Sequence, residues 1–364
     1  MDYRVLPRGG EKISVIGMGS SVIGAQPEKE IVRTVRAAVD HGINYFDMAG
    51  GHAAIFEAYG KALRGIRGRV YLQVHFGADY TTGAYGWTTD LAQIQKSVEW
   101  QLQRLGTDSI DVGFIHCIDE EKDFEKYVEN GVLSYLTGLK AKGIVRHIGL
   151  SSHTPAVAQR VLDLGIVDVL MFSVNPLYDA GQGEFGIGSA AERHALYARC
   201  EKDGIGIVAM KPFCGGQLLD AAKSAFGIAL TKAQCIQYAL DKPGVVCAVP
   251  GFADEREMEE ALQYLSASDA ERDYAILGSA APKETAGRCV YCKHCHPCPA
   301  GLDIALINKY YDLAMLGDKL AREHYLTLEK KAGDCVGCGH CDSRCPFHVK
   351  QSERMQIIRE TFGM

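Results

Sequence analysis

"SIDVGFIHC", residues 109–117, is an apolar run of strand length that closes on a histidine and a cysteine. Short apolar runs bounded by turns fit a strand that is covered on both faces. The run follows "DLAQIQKSVEWQLQRLG", residues 90–106, whose apolar residues recur at helical spacing. The same alternation extends in both directions. Further candidate strands are "ISVIGMG" (13–19), "NYFDMA" (44–49), "VYLQVHFG" (70–77), "RHIGLSS" (146–152), "VDVLMFSVN" (167–175), "GIGIVAMKP" (204–212) and "VVCAVPG" (245–251). Other helical patterns include "EKEIVRTVRAAVDHG" (28–42) and "EREMEEALQYL" (255–265). Eight strand–helix units over about 260 residues predict an α/β chain with a (β/α)8 TIM barrel. A doubly wound open sheet is the competing architecture, but it normally has fewer strands. No G-x-G-x-x-G opens a helix after the first strand, so a Rossmann dinucleotide site has no support.

In such barrels the chemistry sits at the C-terminal ends of the strands. The second strand ends at Asp47, with His52 in its loop, the third carries His75 and the fourth His116. The fifth ends at Ser151, Ser152 and His153, the sixth at Asn175 and the seventh at Lys211. A single histidine is more often a hydrogen-bonded structural residue. Several converging on one rim predict an active site at Asp47, His52, His75 and His116.

The net charge of −6 provides no basic field for nucleic acid. The start, "MDYRVLPRGG", lacks the apolar segment of a signal peptide. No run approaches the roughly 18 apolar residues that cross a membrane. The expectation is a cytoplasmic protein with neither nucleic-acid nor membrane partners. Thirteen cysteines are many for such a chain. Five of them (Cys117, Cys200, Cys214, Cys235, Cys247) are scattered through apolar segments, as small core residues are. The other eight form two tight groups. Without an export signal, dense cysteine points to metal ligation and away from disulfides.

The first group is "CVYCKHCHPCP", residues 289–299, with Cys289, Cys292, Cys295 and Cys298. The second is "CVGCGHCDSRCP", residues 335–346, with Cys335, Cys338, Cys341 and Cys345. The second has the bacterial ferredoxin spacing C-x2-C-x2-C-x3-C-P, in which the fourth cysteine of each run ligates the other cluster. Two [4Fe–4S] clusters with exchanged ligands are therefore expected. One would take Cys289, Cys292, Cys295 and Cys345, and the other Cys335, Cys338, Cys341 and Cys298. Two zinc sites are the alternative. His294, His296, His340 and His348 lie among these cysteines as expected bystanders. Residues 303–331 and 349–360 have helical spacing. They predict a small α-helical ferredoxin-type domain over residues 281–364, following a barrel over 1–280. The boundary falls at "LGSAAPKE", residues 277–284.

These residues resemble the aldo/keto reductase family, in the form that carries a C-terminal double [4Fe–4S] extension. "GINYFDMA" (42–49) resembles the family's second strand, "SIDVGFIHCID" (109–119) its fourth, and "GIVRHIGLSSH" (143–153) its fifth. "GIGIVAMKPFCGGQLL" (204–219) and "VCAVPGFADEREMEEAL" (246–262) resemble the last two strands and the cofactor loop. The resemblance implies carbonyl reduction by NAD(P)H through an Asp–Tyr–Lys–His tetrad. Asp47 matches the Asp and His116 the His, while His52 stands at the Tyr position and His75 at the Lys position. Tyr59 is near, but it lies where the following helix places a core residue. Ser151 and Ser152 match the polar pair that meets the nicotinamide. Met171 replaces the expected glutamine and Met210 the expected aromatic. The acidic "GFADEREMEE" (251–260) repels a 2′-phosphate and so disfavours NADP more than NAD.

Three readings of Asp47, His52, His75 and His116 follow. His52 could donate a proton, since imidazole titrates near neutral pH. The four could hold Zn²⁺ or Fe²⁺, which would polarise a carbonyl or hydroxyl. Or they could be a non-catalytic relic. The leading expectation is an anaerobic oxidoreductase acting on a small carbonyl or hydroxyl compound. Its clusters would exchange electrons with a ferredoxin or flavoprotein. A plain NAD(P)H-dependent reductase and a redox-neutral lyase, dehydratase or isomerase with structural clusters are the alternatives. The polar rim speaks against a non-enzymatic electron carrier.

Overall fold

The computed structural model describes residues 1–181, 185–280, 287, 289, 291–315 and 319–363. Residues 281–284 of the expected domain boundary lie outside the described residues.

Eight strands form one sheet: β1 (Met18–Gly19), β2 (Tyr45–Asp47), β3 (Tyr71–Phe76), β4 (Ile110–Ile115), β5 (Val145–Ser152), β6 (Val169–Ser173), β7 (Gly206–Met210) and β8 (Val245–Val249). Each neighbours the strand before and after it in the chain, and the registers from β1 to β7 are parallel. The edges meet through parallel bridges, Ile16 with Ala248 and Gly19 with Gly251. The Gly17 N–H donates to Ala248 O at 2.8 Å and the Gly19 N–H to Pro250 O at 2.9 Å across this seam. This is the expected (β/α)8 barrel, and not an open sheet.

The alternation of side chains along a strand decides what the barrel encloses. Tyr45, Val112, Phe114, Val169, Met171, Val208, Cys247 and Val249 pack into one buried cluster. Between Val112 and Phe114, Gly113 faces outward, where an added Cβ would meet Leu136 of helix Val132–Ala141. Gly149 faces inward, and a Cβ there would stand 2.7 Å from the Phe114 ring. Only glycine lets that ring lie against the β5 backbone. One further step of two along the strands replaces apolar residues by polar ones. Tyr45 leads to Asp47, Phe114 to His116, and Gly149 to Ser151. The apolar interior thus ends in a polar layer at the C-terminal ends.

The chain divides into two compact units. The first, Met1–Val174 with Ile205–Pro212 and Val246–Ser266, holds the barrel strands. The second joins Asn175–Gly204 and Phe213–Val245 to Ala267–Met364. Its helices start with conventional signals. Ser189 with Glu192, and Thr231 with Gln234, form reciprocal capping boxes for helices Ala190–Lys202 and Lys232–Leu240. The C-terminal segment is helical, as its spacing predicts, with helices Ile304–Met315, Lys319–Leu326 and Gln351–Phe362. Leu302, Ile304, Ile307, Tyr325, Met355, Ile358 and Phe362 form its core. No described helix is long and apolar enough to cross a membrane.

Candidate active site and cysteine cavities

Asp47, His75 and His116 end three adjacent strands, and all three are buried. His75 Nε2 lies 2.8 Å from Asp47 Oδ1, and His116 Nδ1 lies 2.8 Å from His75 Nδ1. The Gln73 side-chain amide donates to the same carboxylate oxygen at 2.6 Å. Below, the Phe114 ring stacks on His75 with centroids 5.1 Å apart. A carboxylate only accepts, so His75 Nε2 carries a proton. Burial, then the neighbouring His75 and His153, hold the His116 pKa well below the ordinary histidine value. His116 is therefore neutral. When neither ring carries charge, the donor–acceptor pattern allows one arrangement of the protons. His116 Nδ1–H donates to His75 Nδ1, and His116 Nε2 is left as an acceptor.

That acceptor meets the hydroxyl of Tyr85 at 2.9 Å. Tyr85 stands on a short antiparallel hairpin after β3, in which Ala78 pairs with Trp87 and Asp79 with Gly86. Sequence reasoning passed over this residue, because it looked for a tyrosine after the second strand. The signal that could have found it is "YTTGAYGW", residues 80–87, a glycine-punctuated aromatic run directly behind β3. The Trp87 indole N–H donates to His116 O at 3.2 Å and ties the hairpin to the top of β4. Asp79 accepts from the Thr81 N–H at 2.9 Å and from the Gln93 amide at 2.6 Å, which fixes the hairpin base. Tyr85 as a residue is 44% exposed, so its hydroxyl joins a buried chain to the open rim. Desolvation, then the Cys117 thiol, push that hydroxyl up to about 12.

The other residues singled out from the sequence fall as follows. His52 is exposed. Its backbone bridges to Ala84 in the hairpin, and its imidazole packs beside Gly24. Among the described residues no hydrogen bond joins it to Asp47, His75 or His116. Tyr59 is fully buried. Ser151 Oγ accepts from the Cys117 N–H at 2.8 Å and lies 3.4 Å from His116 Nδ1. Ser152 Oγ donates to Asp119 Oδ1 at 3.2 Å. Met171 is buried in the barrel core, with its sulfur 3.2 Å from the Gln73 amide. Both serine hydroxyls are thus engaged within the protein, and the glutamine of a nicotinamide site is replaced by a core thioether. These residues do not fit a nicotinamide ring as the family's full contact set would.

In the second unit the cysteines line two cavities. One is lined by Cys289, Cys292, Cys295 and Cys345, with Tyr291, His294 and Gln351. The other is lined by Cys298, Cys335, Cys338 and Cys341, with His340 and Ser352. Each cavity draws three cysteines from one run and the fourth from the other. Burial pushes the Cys289 thiol up to about 11 and Cys292 to about 12. Thiolates form there only with positive charge beside them, which bound iron provides. Among the described residues, no three sulfurs of either cavity lie within 4.8 Å of one another. Tetrahedral zinc, with Zn–S near 2.3 Å, would draw sulfurs to about 3.8 Å apart. The quartets are more open than that.

The sequence profile of the aldo/keto reductase family matches residues 15–233. That of the 4Fe-4S dicluster domain matches residues 285–349. L-galactose dehydrogenase of Arabidopsis thaliana is 25% identical over 295 residues, covering 71% of this chain and 86% of its own length. L-glyceraldehyde 3-phosphate reductase of Escherichia coli K12 is 22% identical over 232 residues, covering 60% of this chain and 63% of its own. Among solved structures, the holo form of an aldo-keto reductase from Bacillus halodurans superposes with a TM-score of 0.63 at 20% identity, over 78% of this chain and 97% of that one. An aldo-keto reductase from Klebsiella pneumoniae in complex with NADPH superposes with a TM-score of 0.53 at 22% identity, over 73% of this chain and 91% of that one. The profile match spans more than half the chain, and the barrel is the family's own. The chain therefore belongs to the aldo/keto reductase family, as an oxidoreductase that carries a 4Fe–4S dicluster domain at its C-terminal end.

Proposed function

We propose that the chain interconverts a small carbonyl compound and its alcohol at the barrel rim. Tyr85 exchanges the proton at the substrate oxygen, and the electrons are carried by two [4Fe–4S] clusters. The observation that carries this reading is the hydrogen-bonded chain Asp47–His75–His116–Tyr85. In the oxidation direction the alcohol gives up two electrons and two protons. The electrons would pass one at a time to the clusters, and the carbon-bound hydrogen leaves as a proton to water at the open rim. Tyr85 accepts the hydroxyl proton while its own passes to His116 Nε2. The His116 Nδ1 proton moves in turn to His75 Nδ1. His75 is then an imidazolium held against the Asp47 carboxylate. Reduction runs the same steps backwards from the charged His75. Tyr85 and His116 are both disfavoured as ions, so the charge comes to rest at His75 beside Asp47.

Cys289, Cys292, Cys295 and Cys345 would hold one cluster, and Cys335, Cys338, Cys341 and Cys298 the other. When bound, these clusters supply electrons one at a time, exchanged with an external ferredoxin or flavoprotein. The engaged serines and the buried Met171 support this route over a nicotinamide. Such a protein works in an anaerobic cytoplasm.

The test is a pair of titrations on protein purified without oxygen. NADH and NADPH should give no saturable binding. A low-potential one-electron donor should bleach the clusters and, with a panel of small sugars, aldehydes and ketones, give turnover. Saturable nicotinamide binding with turnover that does not need the donor would establish a plain NAD(P)H-dependent reductase. Turnover without net reduction would establish a lyase or isomerase.

A further inference from the structure

Cys117, Asp119 and His153 offer one sulfur, one oxygen and one nitrogen, all within 4.8 Å of one another, on the barrel rim. His153 Nδ1 lies 2.9 Å from Asp119 Oδ2, and Cys117 Sγ lies 3.7 Å from that oxygen. A tetrahedral zinc ion, with Zn–S near 2.3 Å and Zn–N and Zn–O near 2.0–2.1 Å, has S···O edges of about 3.5 Å and N···O edges of about 3.3 Å. The observed N···O edge is about 0.4 Å shorter and the S···O edge about 0.2 Å longer than those lengths. In the metal-free arrangement an S–H and an N–H point at one carboxylate oxygen, where a divalent cation would bind instead.

The three groups are held in place from outside. Asp119 Oδ1 accepts from the His153 N–H at 2.5 Å and from Ser152 Oγ at 3.2 Å, which leaves Oδ2 turned to the other two donors. The Cys117 backbone is left-handed, with φ 50°, and its N–H is pinned to Ser151 Oγ. A non-glycine residue in that region is strained, and such strain persists where surroundings over-determine it. The thiol is half-buried, and burial, then the Asp119 charge, push it up to about 12. A cation is what would turn it into a thiolate.

We propose that Cys117, Asp119 and His153 bind one zinc-class divalent cation, with a fourth position open to water or a substrate oxygen. The donor set of thiolate, carboxylate and imidazole suits Zn²⁺ or Fe²⁺ and not Mg²⁺ or Ca²⁺. Binding removes the Cys117 proton, moves the His153 proton from Nδ1 to Nε2, and leaves Asp119 ionised as before. At least one proton, that of Cys117, is released per ion. The site is one residue from His116, and Ser151 Oγ touches both. The metal site expected from the sequence at Asp47, His52, His75 and His116 is a different one. The ring nitrogens of His75 and His116 face each other there, and His52 stands apart.

The experiment uses the full chain with its clusters intact, purified without oxygen and given equimolar zinc chloride before gel filtration. The expected result is one zinc per chain with the iron content unchanged. The zinc K-edge spectrum should show one sulfur and three nitrogen or oxygen neighbours. Calorimetry in buffers of different ionisation heat should return at least one proton released, and one fewer in Cys117→Ser. Cys117→Ser and His153→Gln should each weaken zinc binding by more than about tenfold while keeping the iron; glutamine at 153 can still donate to Asp119 and so preserve the rim. A four-sulfur zinc shell, binding unchanged in both variants, or no zinc retained by the unmodified chain would each overturn the proposal. None of these readouts depends on activity or on the role given to the clusters.

Discussion

The Nδ1 atoms of His75 and His116 face each other at 2.8 Å, and only one proton fits between them. Whichever ring owns that proton, the other must accept it. The state of Asp47 at one end is thereby tied to the state of Tyr85 at the other, through two imidazoles. Such coupling gives the tyrosine a route for its proton that involves no lysine.

Tyr85→Phe removes the terminal hydroxyl and keeps the ring that packs against Tyr80 at 5.9 Å. Turnover should fall by about 10²–10⁴, the usual contribution of a positioned acid–base group, with little change in melting. His52→Ala should stay within a few-fold of the unmodified protein, since its imidazole is outside the chain. The reverse order, with His52→Ala inactive and Tyr85→Phe active, would place the proton donor on the loop after β2 and refute the relay.

The cavity linings make a prediction about pairs of cysteine variants. Cys345 shares a cavity with Cys289, although 56 residues separate them in the numbering (345 − 289 = 56). Cys335 is closer in sequence but lines the other cavity. Cys289→Ser with Cys345→Ser should therefore disrupt one cluster and leave about four irons per chain. Cys335→Ser with Cys345→Ser should disrupt both. Iron and sulfide analysis, with the spectrum of the reduced protein, distinguishes them. The reverse outcome, with both clusters lost in the first pair and only one in the second, would mean that each run ligates its own cluster.

Much of the fold was legible because each barrel strand announces itself twice. An apolar run of strand length gives the strand, and the helical pattern after it gives the crossover. Asp47, His75 and His116 were legible for the same reason, since strand alternation carries Tyr45, Gln73 and Phe114 to them in steps of two. The cysteine quartets that line the two cavities are those the ferredoxin spacing groups, three from one run and one from the other. Tyr85 was not legible in this way. Its place depends on a hairpin folding back over the rim, fixed by the Trp87–His116 and His52–Ala84 contacts, and no local period encodes that. Cys117 was grouped with Cys200, Cys214, Cys235 and Cys247 as a core residue. Those four are buried, but Cys117 is only half-buried and turned by a left-handed backbone.

Lys242 is almost fully buried, with its Nζ 3.7 Å from the Tyr238 ring centroid. Burial lowers its pKa, while Asp179, Asp241, Cys292 and Cys289 pull it up. Tyr238 belongs to the apolar core against which Cys289, Cys292 and Cys345 pack. A cation on that side stabilises the more negative, reduced cluster. Lys242→Met should therefore lower the potential of the cluster on Cys289, Cys292, Cys295 and Cys345 by on the order of tens of millivolts. The other cluster should be unchanged. A redox titration followed by paramagnetic resonance reads both. Equal shifts in the two clusters, or none, would remove Lys242 from any tuning role.

The last prediction concerns stability and lies at the opposite end of the barrel from the relay. His147 Nε2 is 2.9 Å from Glu11 Oε1, and its Nδ1 is 3.6 Å from Asp168 Oδ2. Arg8, Lys140 and Arg146 are the other charged groups facing the two carboxylates. Burial by itself would lower the His147 pKa, but Asp168 and Glu11 more than offset it, and the net shift is upward. A raised pKa means that the folded protein binds the proton more tightly than the unfolded chain. This stabilisation is complete below the unfolded value of about 6.5 and fades as the pH rises through the folded value. His147→Gln should therefore cost about 1.5–3 kcal/mol at pH 6, the range for a hydrogen bond to a charged group. The cost should shrink towards pH 9. Anaerobic urea unfolding of both proteins at the two pH values measures it. A cost that grows with pH would show that His147 is held neutral, with Glu11 and Asp168 balanced by the arginines and Lys140 alone.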